Sequence, residues 1–282
     1  MSTIVFKFGG ASVKDAPSIK RVCQIIEAKR SEKTLVVISA LGKTTNALEA
    51  IVHTGFRQAV KTHSLVQDLK ERHLEICHAL FETQDSETHS AVSTLIVELE
   101  KKLESTPRSN FDFFYDQIVS FGELLSTSII AGYAKGLGLP VAWKDARKSI
   151  TTNNHHREAL IDWEKTARQV EQNISADLQN QIIITQGFIG SCAEGTTTLG
   201  REGSDFTASI FTNLLDAEKL VIWKDVEGVL TADPREFQEV QKIDHLPYYE
   251  ANVHFKDGTK VPKKTEVVYL GCSLNQDRKS VV

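Results

Sequence analysis

The chain has 282 residues, of which 41% are hydrophobic and 25% charged, and its formal net charge is -4. This length and balance predict one large α/β domain with a buried core and argue against a disordered chain. The basic residues form no cluster, which disfavours nucleic-acid binding, and no apolar run is long enough to span a membrane. We therefore expect a cytoplasmic protein whose partners are small molecules, with neither nucleic acid nor membrane among them.

Five short apolar runs predict the strands of a mainly parallel sheet. They read TIVFKF, TLVVI, PVAWK, QIIIT and KLVIWK, and longer helical patterns separate them. Such alternation is typical of β-α-β units. The first helix is predicted to begin after Asp15 as N-cap, with Pro17 in its first turn. Residues 62–104 are predicted to form two charged helices around a polar connection.

The stretch KFGGAS places a lysine and two glycines at the end of the first strand. The backbone N–H groups of Gly9 and Gly10 can approach an anion closely, with Lys7 beside it. The alternative is a surface lysine followed by an ordinary glycine turn.

A second strand ends in the polar loop of VVISALGKTTN. Its GKT triplet resembles the end of a Walker A loop, but Val37 occupies the position where that loop needs a glycine, so a P-loop ATPase is excluded. Ser39 and Thr45 lie at a strand's carboxyl end, where ligands of open α/β sheets collect. They could instead belong to the N-cap of the following helix.

After the strand QIIITQ, residues 187–203 are predicted to form one long turn-rich loop. A helix with Ser204 or Asp205 at its N-terminus closes the loop and could hold negative charge. Arg201 is suited to bidentate recognition of a carboxylate or phosphate, although a surface ion pair would also explain it. No G-x-G-x-x-G follows any predicted strand, which disfavours a nicotinamide dehydrogenase.

The stretch WKDVEGVLTADPR leaves the last of these strands through two consecutive turns. Lys224, Asp225 and Arg235 in these turns could frame a nucleotide. Turn chemistry alone would also account for most of these residue types.

Taken in order, these motifs closely resemble the catalytic domain of aspartokinases, within the amino-acid-kinase fold. The resemblance rests on KFGGASV, VVISALGKTTN, FGELLS, GFIG, TTLGREGSDFTA and WKDVEGVLTADPR. It implies an α/β fold, a three-layer αβα sandwich around a mainly parallel sheet. It further implies one catalytic domain over residues 1–282, whose N-terminal part contributes the aspartate site and whose residues 180–265, approximately, contribute the nucleotide site.

The resemblance implies transfer of the ATP γ-phosphoryl group, with Mg²⁺, to the β-carboxylate of L-aspartate in lysine, threonine and methionine synthesis. Arg201 would bind the α-carboxylate of aspartate, and Glu123, with Asp205, would accept its α-ammonium. Ser39 and Thr45 would add polar contacts.

The remaining roles implied by the resemblance concern phosphoryl transfer and the nucleotide. Lys7 and Asp205 would be catalytic, and no metal ligand is assigned. The nucleotide-binding residues would be Lys7, Gly9, Gly10, Lys224, Asp225, Arg235 and Lys260.

Three departures from the family pattern leave alternatives open. Glu202 stands where many members have glycine, Leu230 stands where a tyrosine is common, and Lys260 lies in a C-terminal segment that matches only partly. The chain ends where regulatory ACT domains would begin, so we expect none in it; a homodimer is compatible with the resemblance. The alternatives are a kinase of this fold with another carboxylate acceptor, and a catalytically impaired nucleotide-binding fragment.

Overall fold

The computed structural model describes residues 2–58, 62–81, 86–224, 237, 239–241 and 266–271. Within these ranges the strands are β1 (Thr3–Phe8), β2 (Lys33–Ile38), β3 (Val141–Lys144), β4 (Ile182–Gln186), β5 (Ile189–Cys192), β6 (Gly195–Thr198), β7 (Lys219–Lys224) and β8 (Glu266–Gly271). A six-stranded parallel sheet has the order β3-β4-β2-β1-β7-β8, and β5 and β6 form a separate antiparallel hairpin.

Helices cover both faces of this sheet. They are α1 (Ala16–Glu27), α2 (Thr44–Arg57), α3 (His63–Leu80), α4 (Ser86–Ser105), α5 (Phe111–Val119), α6 (Phe121–Gly136), α7 (Trp163–Val170) and α8 (Gly203–Leu214). The predicted N-cap of α1 is confirmed, because Asp15 accepts a hydrogen bond from the Ser18 amide at 2.9 Å. The two predicted charged helices are α3 and α4.

The core is divided by the sheet into two hydrophobic clusters. Successive strand residues point to opposite faces, so Phe6 and Phe8 of β1 pack with helices α1 to α6, whereas Val5 packs with α7 and α8. This arrangement confirms the predicted α/β sandwich of three layers. It also directs Lys7, two residues after Val5, towards the layer that contains α8.

The five predicted strands are confirmed, but the prediction of one continuous loop over residues 187–203 is wrong. The segment folds into the β5–β6 hairpin, whose registers join Ile189 to Thr198 and Cys192 to Gly195. The run of three threonines in β6 favours a strand because of β-branching, and Gly195, at a φ of 146°, allows the tight reversal. Helix α8 follows and begins at Gly203.

Candidate active site

The site predicted from the sequence lies at the carboxyl ends of β1, β2 and β4. These strands are adjacent and parallel, so the loops that follow them meet at one edge of the sheet. Helices α6 and α8 contribute residues from the two sides of that edge. The distances between side chains at this edge show which of the predicted residues come together.

Lys7 forms a buried ion pair with the first turn of α8. Its Nζ lies 2.7 Å from Oδ1 of Asp205, and the two side chains are 6% and 22% exposed. The ammonium group also lies beside Gly9, since a Cβ on that glycine would be 3.5 Å from Lys7 Nζ. The structure thus excludes the surface-lysine alternative and brings the two predicted catalytic residues into direct contact.

The loops after β1 and β2 pack against each other through their backbones. A Cβ on Gly10 would lie 2.8 Å from the carbonyl oxygen of Ala40, so only glycine fits without displacement. The amide of Gly42 donates a hydrogen bond to the Gly10 carbonyl at 3.0 Å. This contact holds the Gly9–Gly10 turn beside the polar loop that contains Ser39.

Glu123 lies in the first turn of α6 and is only 3% exposed. Its Oε1 accepts a hydrogen bond from the Ala40 amide at 3.2 Å, whereas Oε2 has no hydrogen-bonding partner among the residues that the structure describes. Burial raises the pKa of this carboxyl to about 8. A buried carboxylate oxygen without a donor is costly, so the group is suited to accept a cationic ligand.

Ser39 and Thr45 occupy different parts of the loop between β2 and α2. The carbonyl of Ser39 accepts a hydrogen bond from the Ser126 hydroxyl of α6 at 2.9 Å, and its side chain is half-buried. Thr45 lies in the first turn of α2 and also lines an open cleft. Both residues therefore lie at the predicted edge.

The cleft that Thr45 lines has a volume of about 1050 Å³. Arg201 reaches it from the turn before α8 and is exposed, with no ion pair to any described residue. Tyr115, Phe188 and Thr198 are among its other lining residues. The structure thus brings Thr45 and Arg201 to one cleft, and Lys7 and Glu123 are not among its lining residues.

Three residues at or next to this cleft adopt left-handed backbone conformations that non-glycine residues rarely take, and one of them is Arg157, with a φ of 69°. Glu202 has a φ of 57° and precedes α8, and Phe188 has a φ of 69° after β4. Each costs roughly 1–3 kcal/mol of backbone strain. Glu202, which stands where glycine is common in the resembled family, therefore has a strained backbone.

Sequence reasoning missed one residue that lines the cleft and two buried residues of α5. Phe188 lines the cleft, although its motif GFIG was noted only for the resemblance. Asp116 and Gln117 of α5 are buried polar residues that bind β6. The signal for the last two was a polar pair within the apolar helix FDFFYDQIV, which would have favoured a buried hydrogen-bonding role.

The nucleotide-side predictions are described only in part. Lys224 is the last residue of β7, with its backbone in register with Gly271 of β8. Asp225, Arg235 and Lys260 lie outside the described residues, so their roles stay predictions.

Across the described ranges, no three histidine, cysteine, aspartate or glutamate side chains are grouped closely enough to hold a metal ion. Of the helices that the structure describes, none combines the length and hydrophobicity that crossing a bilayer requires.

The fold and the site together define the class of protein. The model of the amino acid kinase family matches residues 2–271, and the chain belongs to that family. Within it, the predicted resemblance to aspartokinases is confirmed. The chain is 34% identical over 262 residues to the chloroplastic aspartokinase 2 of Arabidopsis thaliana, an alignment that covers 88% of this chain and 46% of that protein.

Two further relatives support the same likeness. An aspartokinase of Chlamydia trachomatis serovar D is 35% identical, covering 92% of this chain and 57% of its own length. The crystal structure of Escherichia coli aspartokinase III in complex with aspartate and ADP superposes with a TM-score of 0.77 at 31% identity, covering 86% of this chain and 53% of that one. The chain thus spans about half the length of the curated relatives it matches.

Proposed function

We propose that this chain transfers the γ-phosphoryl group of ATP to the β-carboxylate of L-aspartate, giving 4-phospho-L-aspartate. In this role it would act at the entry to lysine, threonine and methionine synthesis. The observation that carries the proposal is the buried Glu123 oxygen that lacks a donor among the described residues, at the same sheet edge as Arg201. Support comes from the similarity to aspartokinases, one of which was crystallised with aspartate and ADP.

The acceptor substrate offers charges that match these two residues. The α-ammonium of aspartate would donate to Glu123 Oε2, and its α-carboxylate would meet the guanidinium of Arg201 with two parallel hydrogen bonds. Thr45 and Ser39 would add polar contacts. The β-carboxylate is left free to react, and since its ordinary pKa is near ~4, no general base is needed to ionise it.

The chemical step brings two anions together, so charge neutralisation is the main task. Lys7 is suited to it because its ammonium lies beside the backbone of Gly9 and is kept in place by Asp205. The ion pair favours a role for Asp205 in orienting Lys7 over the predicted share in binding the substrate ammonium. The pair would then act as one catalytic unit.

The residues present fit the phosphates of a nucleotide. The buried Lys7 ammonium, the narrow Gly9–Gly10 turn and the first turn of α8, which has no side-chain cap, all offer donors to an anion. Bound ATP with Mg²⁺ would supply the phosphoryl group and further positive charge.

A coupled ADP-release assay with aspartate, glutamate, N-acetylglutamate and UMP tests the proposal. ADP release should require both Mg²⁺ and aspartate and should stay at background with the other three acceptors. Turnover with another carboxylate instead would establish a kinase of this fold with a different substrate. Nucleotide binding without turnover of any of the four acceptors would show that the chain is a catalytically impaired nucleotide-binding fragment.

The cytoplasmic location and the homodimer stay predictions.

A further inference from the structure

Asp116 is a buried carboxylate that the proposed chemistry does not use. It lies in α5 and is fully buried. Its oxygens accept hydrogen bonds from the amide and hydroxyl of Thr198 at 3.1 and 2.6 Å. They also accept from the Arg157 amide, at 3.0 Å for Oδ2, and from His156 Nδ1 at 2.9 Å. One side chain thus satisfies four donors from two separate segments.

The two segments form different walls of the cleft. Thr198 is the last residue of β6 and precedes Arg201 by three positions in the chain. His156 and Arg157 belong to the connection between β3 and α7. All four residues line the cleft. Asp116 therefore links the wall that presents Arg201 to the other wall, in addition to the direct hydrogen bond from the Ala159 amide to the Thr198 carbonyl at 3.0 Å.

We infer that Asp116 is a positioning residue for the acceptor substrate. It sets the distance between Arg201 and the wall formed by residues 154–158. This inference rests on the proposed function, because it assumes that Arg201 binds the acceptor. Asp116 acts through Thr198 and does not touch the substrate itself.

The strained backbone of Arg157 supports this role. Its φ of 69° is left-handed, and its amide points at Asp116. The Arg157 guanidinium lies 4.7 Å from the centre of the Tyr115 ring and 3.2 Å from Oδ1 of Asp112. Strain of this kind persists only where several contacts enforce it, and such sites concentrate around ligands. The wall is therefore held in one conformation by α5.

The neighbouring residue Gln117 provides a matched control. It is also buried, and it binds the same strand through the carbonyl and amide of Thr196 at 2.8 and 3.3 Å. None of its hydrogen bonds reaches residues 154–158. Both residues therefore share a structural role in holding β6 on α5, but of the two only Asp116 also accepts hydrogen bonds from His156 and Arg157.

The test compares Asp116→Asn with Gln117→Met in steady-state kinetics. The carboxamide of asparagine preserves size but turns an NH₂ group towards donors that need an acceptor. We expect Asp116→Asn to raise the KM for aspartate on the order of 10-fold or more, with the KM for ATP changed less than about twofold. Gln117→Met should lower the melting temperature while leaving the KM for aspartate near that of the wild type.

Equal effects of the two variants on the KM for aspartate would overturn the inference, as would an Asp116→Asn protein that binds both substrates normally. Should Asp116→Asn fail to fold, Thr198→Val takes its place, because it removes only the 2.6 Å hydrogen bond from the Thr198 hydroxyl to Asp116. Thr198→Val should also raise the KM for aspartate, and an unchanged KM would overturn the inference. Inactivity of the wild-type chain with aspartate would refute the proposed function instead.

Amide hydrogen exchange tests the same role without any turnover. Asp116→Asn should accelerate exchange at Arg157 and Thr198 together, whereas Gln117→Met should affect Thr196 and leave Arg157 protected. Protection of Arg157 in a folded Asp116→Asn protein would show that the wall does not depend on this carboxylate, and would overturn the inference.

Discussion

Burial gives Glu123 a charge state that depends on what occupies the site. With a pKa of about 8, the carboxyl is largely protonated at neutral pH when no ligand is bound. A substrate ammonium would favour the ionised form, so acceptor binding should be coupled to proton release. We predict the release of close to one proton on aspartate binding at pH 7, measured by calorimetry in buffers of different ionisation enthalpy. Equal heats in all buffers would contradict this coupling.

The same residue should lower stability at neutral pH. Because the folded pKa lies above the unfolded value of about 4.5, the stability associated with the protonated group is lost as pH rises from about 4.5 to 8. We predict that Glu123→Gln is more stable than the wild type at pH 8, by roughly 2 to 4 kcal/mol, and nearly equal to it at pH 5. Urea unfolding at both values measures this. If the two proteins differed by the same free energy of unfolding at pH 5 and pH 8, Glu123 would not titrate as described.

Lys7 is predicted to matter for the chemical step more than for nucleotide binding. Lys7→Met should lower kcat by on the order of 10² to 10³ with little change in the KM for ATP, because the ammonium counts most as charge develops. Lys144→Met is the matched control, since Lys144 also lies at the carboxyl end of a parallel strand, one residue further along than Lys7 does in β1, and forms an ion pair with an aspartate, Asp177. Near-normal kcat for Lys7→Met would remove Lys7 from the catalytic unit.

Arg201 is predicted to act on the acceptor alone. Arg201→Lys keeps the positive charge but loses the planar guanidinium group, which can donate two parallel hydrogen bonds to one carboxylate. The KM for aspartate should therefore rise, with a loss of roughly 1 to 3 kcal/mol of binding free energy. The control is Arg168→Lys on α7, where the arginine forms an exposed ion pair with Glu164, and it should leave the KM for aspartate unchanged. If kcat fell while the KM stayed constant, Arg201 would belong to the transferring phosphoryl group.

At the scale of elements, the approach of α8 to β4 determines where Asp205 lies. A Cβ on Gly187 would lie 2.5 Å from Cβ of Ser204 and 2.8 Å from its Cα, so the start of α8 would have to shift. We predict that Gly187→Ala lowers kcat at least 10-fold, because the shift separates Asp205 from Lys7. In Gly136→Ala at the end of α6, the new Cβ meets only Phe81 among the described residues, at 3.9 Å, and kcat should be unchanged. Equal activities of the two variants would contradict this role of the helix position.

The elements also differ in how far the sequence predicted them. Strands β1 to β4 and β7 were predicted because buried parallel strands consist of continuous apolar runs. The β5–β6 hairpin was not, since its strands have four residues each and its stability comes from α5 through Asp116 and Gln117. Contacts between distant segments leave no periodic signal. For the same reason the Lys7–Asp205 pair, 198 positions apart in the chain, could be foreseen only as two members of one site.

At the scale of the whole molecule, the strand order explains why these loops form the site. The chain leaves β1 towards β2 on one side, and after β4 it crosses to β7 on the other side of β1. Ligands of open α/β sheets bind outside the carboxyl ends of the strands, at such a change of direction. The Gly9–Gly10 turn after β1 lies at this point, between the layer containing α6 and the layer containing α8. The three-layer fold thus brings Glu123 and Asp205 to one edge from opposite faces.

The central claim is that the β-carboxylate of aspartate receives the phosphoryl group. It is tested most directly by running the reaction with aspartate, ATP and Mg²⁺ in the presence of hydroxylamine, which converts an acyl phosphate into a hydroxamate. We predict β-aspartyl hydroxamate in an amount equal to the ADP formed, identified by mass spectrometry against α- and β-hydroxamate standards. ADP release without hydroxamate, or formation of the α-hydroxamate, would contradict the account.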